Sequence, residues 1–340
     1  MTITTSVSIC LPTCNRPDLL IQCIESCLAQ THTNIEIVIG DDSPDTSTAR
    51  LIAQHYGHDP RVLYRRNVPA LGQARNVASL FARASGDKIL LIHDDDFLLE
   101  HAIARLLEQW TRHPDIDVAF GNQYEADAQG RIDVPASRRM NEAYHRTPAA
   151  AGVQRLAGRT GIVQMFPNNG WLADAALVKR IGYDVPANTQ LEVCCDFVFG
   201  VRLCLSARAV CYVDDYVSCY RKTGYSVSQA TRHTPSAASM AAWHFLKSLA
   251  LPPELEPARR LALRRLVPIV VSLHARNRQG RAGLSLALTH LYAYRFGLSL
   301  RLYYHLLMIW KNAWLAKAPT PAQLFESDDQ VVDVTRTRIP

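Results

Sequence analysis

Ile89-Leu90-Leu91-Ile92-His93-Asp94-Asp95-Asp96 joins four apolar residues to three consecutive carboxylates, and the fold follows from how that junction is read. A short apolar run of this kind reads as a strand buried in a sheet, with the acids at its carboxyl end. Open α/β sheets bind their ligands outside the carboxyl ends of the strands. Three like charges crowded within a few ångströms repel by on the order of a few kcal/mol per pair near a surface. A hard divalent ion such as Mg²⁺ or Mn²⁺ relieves that repulsion, taking carboxylate oxygen together with phosphate oxygen.

The same strand-then-helix alternation repeats on both sides of the junction. Val7-Ser8-Ile9-Cys10-Leu11 is a strand ended by Pro12, and a helix opens near Pro17-Asp18 with Leu19, Leu20, Cys23, Ile24, Cys27 and Leu28 at helical spacing. Residues 35–39 form a second strand ended by Gly40-Asp41-Asp42, and Ser43-Pro44-Asp45 opens a second helix. Strands over 61–64 and 116–120 and helices over 71–84 and 100–110 complete the pattern. Such alternation implies a parallel sheet flanked by helices. Three polar clusters then meet at one edge: Pro12-Thr13-Cys14-Asn15-Arg16, Asp41-Asp42 and the aspartate triplet. Asp41-Asp42 before Ser-Pro fits a turn and helix cap as well as it fits a ligand site. His93 reads as a strand-end residue, not a metal ligand.

The chain has 340 residues, 48% of them hydrophobic and 20% charged, enough to build a core and to exclude disordered, collagen-like and disulfide-scaffold classes. It holds no run of about eighteen apolar residues, so no transmembrane helix is expected. The start lacks a basic region and a long apolar stretch, which argues against secretion. Nine cysteines, an odd number without a C-x-x-C pair, read as reduced thiols in a cytoplasmic protein. The spacing of Cys10, Cys14, Cys23 and Cys27 matches no common zinc site.

Charge is unevenly placed. Eleven of the 37 Lys and Arg, and none of the 31 Asp and Glu, fall between Pro257 and Phe325. From about Pro235 the pattern becomes helix-rich: one helix over 239–249, one over 255–275 interrupted by Pro268, and a long apolar one over 283–317. This divides the chain into a catalytic domain at 1–234, a basic extension at 235–325 and a tail at 326–340. Tyr303, Tyr304, Trp310 and Trp314 mix with Arg301 and Lys311, as on helices that lie at a membrane surface. The expected role is to hold the protein peripherally on the cytoplasmic face of the membrane. A bundle packed on the catalytic domain and a homodimer interface are the alternatives. No nucleic-acid-binding signature occurs, and no such partner is expected.

Four ordered stretches carry a family likeness: VSICLPTCNRPDLLIQCIESCLAQTHTNIEIVIGDDSPDTS, LGQARNVASLFARASGDKILLIHDDDFLLEHAI, CCDFVFGVRL and YVSCYRKTGYSVS. Together, over about residues 5–230, they resemble the family 2 glycosyltransferases of the GT-A fold. The resemblance implies a Rossmann-like α/β domain with a mixed, mostly parallel sheet and flanking helices, followed here by the helical extension. It implies transfer with inversion from a nucleotide-sugar donor, a UDP-sugar first, aided by Mn²⁺ or Mg²⁺. The acceptor would be a glycan or lipid-linked glycan in cell-surface polysaccharide assembly.

Carried over by position, Pro12, Thr13, Asn15 and Arg16 line the nucleotide pocket, and Asp41 or Asp42 accepts a hydrogen bond from the base. Arg75 and Asn76 sit near the nucleotide. Asp94 and Asp95 face ribose and diphosphate; Asp96 is the direct metal ligand, with Asp94 assisting. Asp196 is the general base, with Arg202 trailing on the same helix. The chemistry matches: the departing diphosphate gathers negative charge, and the attacking hydroxyl must lose a proton across the sugar from it.

Two positions depart from the pattern. Cys195 stands where many relatives have Glu before the base, with Glu192 about one turn earlier as a substitute or a solvated acid. The histidine that usually follows Tyr-Arg is missing from Tyr220-Arg221-Lys222-Thr223-Gly224, which leaves Arg221 or Lys222 to neutralise diphosphate. Asn168-Asn169-Gly170-Trp171 reads as a turn with a core tryptophan in preference to an acceptor-binding site. Competing functions are a sugar-nucleotide-binding module without turnover and a phosphatase of the haloacid dehalogenase type. In the latter the motif should end the first strand, whereas here it ends the fourth.

Overall fold

The computed structural model describes residues 5–183, 185, 190–223 and 237–315. The tail at 326–340, the end of the last family-like stretch at 224–228 and the side chain of Trp314 lie outside the described residues. The chain forms two compact units, Met1–Gln229 and Ala230–Pro340.

In the first unit β1 (Val7–Thr13), β2 (Ile35–Asp41), β3 (Val62–Arg66) and β4 (Lys88–Leu91) alternate with α1 (Pro17–Leu28), α2 (Ser47–Tyr56) and α3 (Gln73–Arg83). Then come β5 (Phe97–Leu98), α4 (Ala102–Arg112), β6 (Val118–Ala126), α5 (Val134–Ala143) and β7 (Gly152–Val153). After them follow α6 (Ala157–Ile162), β8 (Trp171–Asp174), α7 (Ala175–Ile181), α8 (Cys195–Ser206) and β9 (Val210–Arg221). All nine strands form one mixed sheet in the order β3-β2-β1-β4-β8-β6-β9-β5, with β7 on β9.

The half β3-β2-β1-β4 is parallel. Its inner strands β1, β2 and β4 are almost wholly buried on both faces, whereas the edge strand β3 is half-exposed. Val7, Ile9 and Leu11 pack with Leu20, Cys23, Ile24 and Cys27 of α1 and with Ile37, Ile39 and Leu90. Of the four cysteines at 10, 14, 23 and 27, all free, Cys10, Cys23 and Cys27 are buried in the core, whereas Cys14 is exposed.

Alternation along the chain did not reveal β8, which enters antiparallel to both β4 and β6. Trp171 opens this strand, is fully buried, and packs against Phe81, Phe166 and Phe199 at centroid distances of 6.2, 5.6 and 5.4 Å. Behind it α6 lies close on α8. A Cβ on Gly161 would stand 2.7 Å from the Gly200 carbonyl oxygen, so the backbones touch where only glycine fits.

The second unit contains α9 (Ala237–Ser248), α10 (Glu256–Arg276), α11 (Gly280–Thr289) and α12 (Leu300–Leu315). Two expectations fail here. Pro268 does not interrupt α10, which runs through it with Val267, Val270 and Val271 fully buried on either side. Packing of that apolar face outweighs the missing backbone donor. Conversely, the single helix expected over 283–317 is broken. Arg295, Phe296 and Gly297 have φ of 52°, 54° and 97°, left-handed values that no right-handed helix can include.

Candidate active site

The triplet begins just beyond β4, where the Asp96 amide bonds back to the His93 carbonyl and turns the chain. Asp94 and Asp95 are drawn toward β1. Asp94 accepts the Thr13 hydroxyl at 2.7 Å and the Cys14 amide at 3.4 Å, and one Arg16 nitrogen lies 3.1 Å from Asp94 and 2.8 Å from Asp95. Asn15 makes this approach geometrically feasible. It adopts φ 56°, a conformation Asn tolerates, and its amide donates to Ser43 Oγ at 2.9 Å. Pro12 stands opposite Gly40 in the β1–β2 register.

Asp96 faces the other way. Its Oδ1 accepts the Arg221 backbone amide at 2.8 Å, and its Oδ2 accepts the Asn169 side-chain amide. Burial, then the charge of Asp95, pushes Asp96 up to about 7. Burial also raises Asp94, against the pull of Arg16. For Arg16 burial opposes its charge, but Asp94 and Asp95 hold the guanidinium above its ordinary value.

Asp196 lies in the first turn of α8. Burial alone would depress His93. Asp196 first, then Asp96, Asp95 and Asp94, outweigh it and raise the imidazole above its usual range. One ring thus feels the acid from α8 and all three acids from the end of β4. His93 Nδ1 lies 3.3 Å from Asn169 Nδ2, and its enclosed Nε2 has no hydrogen-bond partner among the described residues. The phenol of Tyr183, itself buried, donates to Asp196 Oδ1. Cys195 is buried, Glu192 is exposed, and Arg202 donates to the Ile181 carbonyl.

Asn169 was missed by the sequence reading. The turn and the core tryptophan are present, but Asn169 is fully buried and serves as a brace. Its Oδ1 accepts Gln123 Nε2 at 3.0 Å, and Gln123 Oε1 accepts Arg146 Nη1 at 3.1 Å. Arg146 also donates to Asn141 Oδ1 at 3.1 Å and to the Met165 carbonyl at 2.9 Å. Burial draws this guanidinium down to about 10. A chain of buried polar groups therefore runs from Arg146 to Asp96. Asn-Asn-Gly is a turn signal, and no local pattern distinguishes a turn from a turn that also holds an acid.

The remaining expected residues divide into braces and exposed groups. Asp41 is fully buried and accepts the Ser43 amide at 2.7 Å and the Tyr64 hydroxyl at 2.6 Å. Asp42 is half-buried and gathers the loop before α3, accepting Asn67 Nδ2 at 2.8 Å, the Leu71 amide at 3.1 Å and the Gly72 amide at 2.9 Å. Asn76 is buried and donates to the Gly40 carbonyl at 2.8 Å, whereas Arg75 is exposed. Arg221 is buried, donates to Gln22 Oε1 at 2.8 Å and lies 5.5 Å over the Phe97 ring. Lys222 pairs with Glu125.

Among the described residues, no three His, Cys, Asp or Glu converge as a ready-made metal cage. The donor set still suits a hard cation. Such an ion takes one or two protein carboxylates and completes its shell from phosphate and water. The raised pKa of Asp96 marks a carboxylate that gains from added positive charge.

Residues 8–167 match the model of "Glycosyl transferase family 2". The glycosyltransferase GlyG of Streptococcus pneumoniae is 32% identical over 123 residues, 36% of this chain and 40% of that protein. The chondroitin synthase of Escherichia coli is 30% identical over 127 residues, 37% of this chain and 18% of that one. The chain thus spans less than half the length of these two relatives. Among solved structures, S. aureus TarS 1-349 in complex with UDP-GlcNAc superposes with a TM-score of 0.55 at 15% identity, covering 90% of this chain and 89% of that one. The mannosyltransferase PcManGT from Pyrobaculum calidifontis, in complex with GDP-Man and Mn²⁺, gives 0.57 at 14% identity, covering 93% and 89%. The likeness to both is one of fold. It gives the chain the GT-A fold, and residues 8–167, which hold the strands ending in the aspartate triplet, carry the likeness to glycosyl transferase family 2.

Proposed function

We propose that the chain transfers a sugar from a nucleoside diphosphate sugar to an acceptor hydroxyl with inversion. The observation that carries this is the buried aspartate triplet at the end of β4, with Asp94 held by Thr13 and Arg16, Asp95 by Arg16, and Asp96 by Asn169 and the Arg221 amide. Thr13, Asn15 and Arg16, with Pro12 beneath them, form the nucleotide wall. Base recognition falls to the half-buried Asp42, because Asp41 and Asn76 are buried away from any ligand. Arg75, exposed at the start of α3, serves as a nucleotide contact.

Asp94 and Asp95 orient ribose and diphosphate, and Arg221 balances the diphosphate charge with Lys222 behind it. Asp96, with Asp94 assisting, would hold a Mn²⁺ or Mg²⁺ ion, which would supply Lewis-acid stabilisation of the departing diphosphate. Asp196 takes the proton of the acceptor hydroxyl as its oxygen bonds to the anomeric carbon. The bond from that carbon to the diphosphate breaks, releasing nucleoside diphosphate. The nucleotide sugars held by the two structural relatives support the donor class. The chondroitin synthase match supports a polysaccharide or lipid-linked glycan as acceptor.

The test is release of nucleoside diphosphate from a panel of UDP- and GDP-sugars with Mn²⁺, Mg²⁺ or chelator. One donor should be consumed with a cation present and none with chelator. Binding without turnover across a broad acceptor panel, or hydrolysis of simple phosphomonoesters instead, would sink the reading. A second expectation concerns the brace. Asn169→Ala should lower kcat by about 10- to 100-fold, since removing one buried hydrogen bond to a charged group costs about 1.5–3 kcal/mol. Steady-state kinetics check it, and kcat within threefold of the parent would remove Asn169 from the site.

A further inference from the structure

The outward face of α12 is apolar, the reverse of a helix lying on a soluble core. Leu300, Tyr303, Tyr304, Leu307 and Trp310 are between 56 and 86% exposed. At about 100° per residue they fall within one arc of about 120°. The inward face carries Leu302, His305 and Ile309, with the Tyr294 hydroxyl 2.8 Å from His305 Nδ1. Asn312 Nδ2 donates to the Ala275 carbonyl at 2.8 Å. Polar groups are satisfied inside while aromatic and branched residues stand in solvent. The turn ahead extends the patch. The left-handed pair Arg295-Phe296 delivers Phe296 at 80% exposure, with Leu298 at 87%.

Charge decides what fits this face. Arg301 and Lys311 are exposed on the same helix, and Arg295 adjoins Phe296. No acidic residue occurs between Pro257 and Phe325 to answer them. A second copy docked through this face about a twofold axis would set these cations against themselves. An anionic lipid surface supplies both phosphates for the cations and hydrocarbon for the apolar arc. Tyr and Trp favour that boundary, and long basic side chains reach back to the headgroups. No helix among the described residues is long and apolar enough to cross a membrane.

We propose that α12 and the Phe296–Leu298 turn lie in the plane of an anionic bilayer surface. Their apolar arc sits at the acyl boundary, and Arg295, Arg301 and Lys311 bind headgroup phosphates. This docking is independent of the donor chemistry above.

The full chain should sediment with vesicles of equal parts phosphatidylglycerol and phosphatidylcholine, and about tenfold less well with phosphatidylcholine alone. The triple variant F296S/L307S/W310S should lose about tenfold or more in binding, with its far-UV circular dichroism unchanged. The pair R301Q/K311Q should lose mainly the preference for anionic vesicles, which tests the proposal even where the triple variant misfolds. Absence of binding to the anionic vesicles, or equal binding by a folded triple variant, overturns it. So does a dimer of the lipid-free chain, seen by light scattering, that the triple variant dissolves.

Discussion

Asp96→Asn should reduce transfer about a thousandfold or more, while the protein unfolds within a few degrees of the parent. The two effects separate because they have different origins. In the proposed mechanism the negative charge is needed to hold the cation that would stabilise the departing diphosphate. A thousandfold loss corresponds to about 4 kcal/mol of transition-state stabilisation, within reach of one electrostatic group in a water-poor site. Stability depends on two opposed terms. The amide of Asn cannot accept from both the Arg221 backbone and Asn169, so one buried bond is lost. That cost, about 1–3 kcal/mol, is offset because a buried charge beside Asp95 also disappears. Kinetics with excess Mn²⁺ and a thermal melt measure both sides. Transfer within tenfold of the parent would take Asp96 out of the mechanism.

Asp196→Asn should act on a different step. It should lower kcat by about 10²–10⁴-fold with donor KM changed less than threefold, as removal of a general base does. Donor stacked against Thr13, Arg16 and the triplet does not need Asp196, so the thermal shift caused by donor and Mn²⁺ should persist. Tyr183 fixes one oxygen of the Asp196 carboxylate, and the other is the proposed proton acceptor. Glu192 is exposed, so it should not rescue the variant. A donor KM that rises in step with the fall in kcat would make Asp196 a donor-binding residue instead.

Much of this site was legible before any coordinates. Apolar runs too short for helices, each followed by Asp or Asn, announce strands that end at a polar edge, and β1, β2 and β4 are found there. What those polar residues do was not legible. Asp41 and Asn76 look like pocket residues in sequence and are internal braces in the fold. Asp42 does both jobs by position: it ties the loop before α3 and keeps a half-buried edge. Asn169 looks like a turn residue and holds Asp96. Side-chain type and spacing are the same in either role; only the partner across the sheet differs.

Local sequence therefore determined the periodic elements, the acid cluster after β4 and the acid-free stretch between Pro257 and Phe325. Each depends on neighbours a few residues apart, through backbone propensity, burial pattern and like-charge repulsion. Tertiary structure alone decided the insertion of β8 between β4 and β6, the pairing of Tyr183 with Asp196 and the polar chain from Arg146 to Asp96. It also decided that α12 turns its apolar arc outward. These are pairings between residues far apart in the chain, set by which faces find each other once the core has closed, and no local pattern encodes the partner.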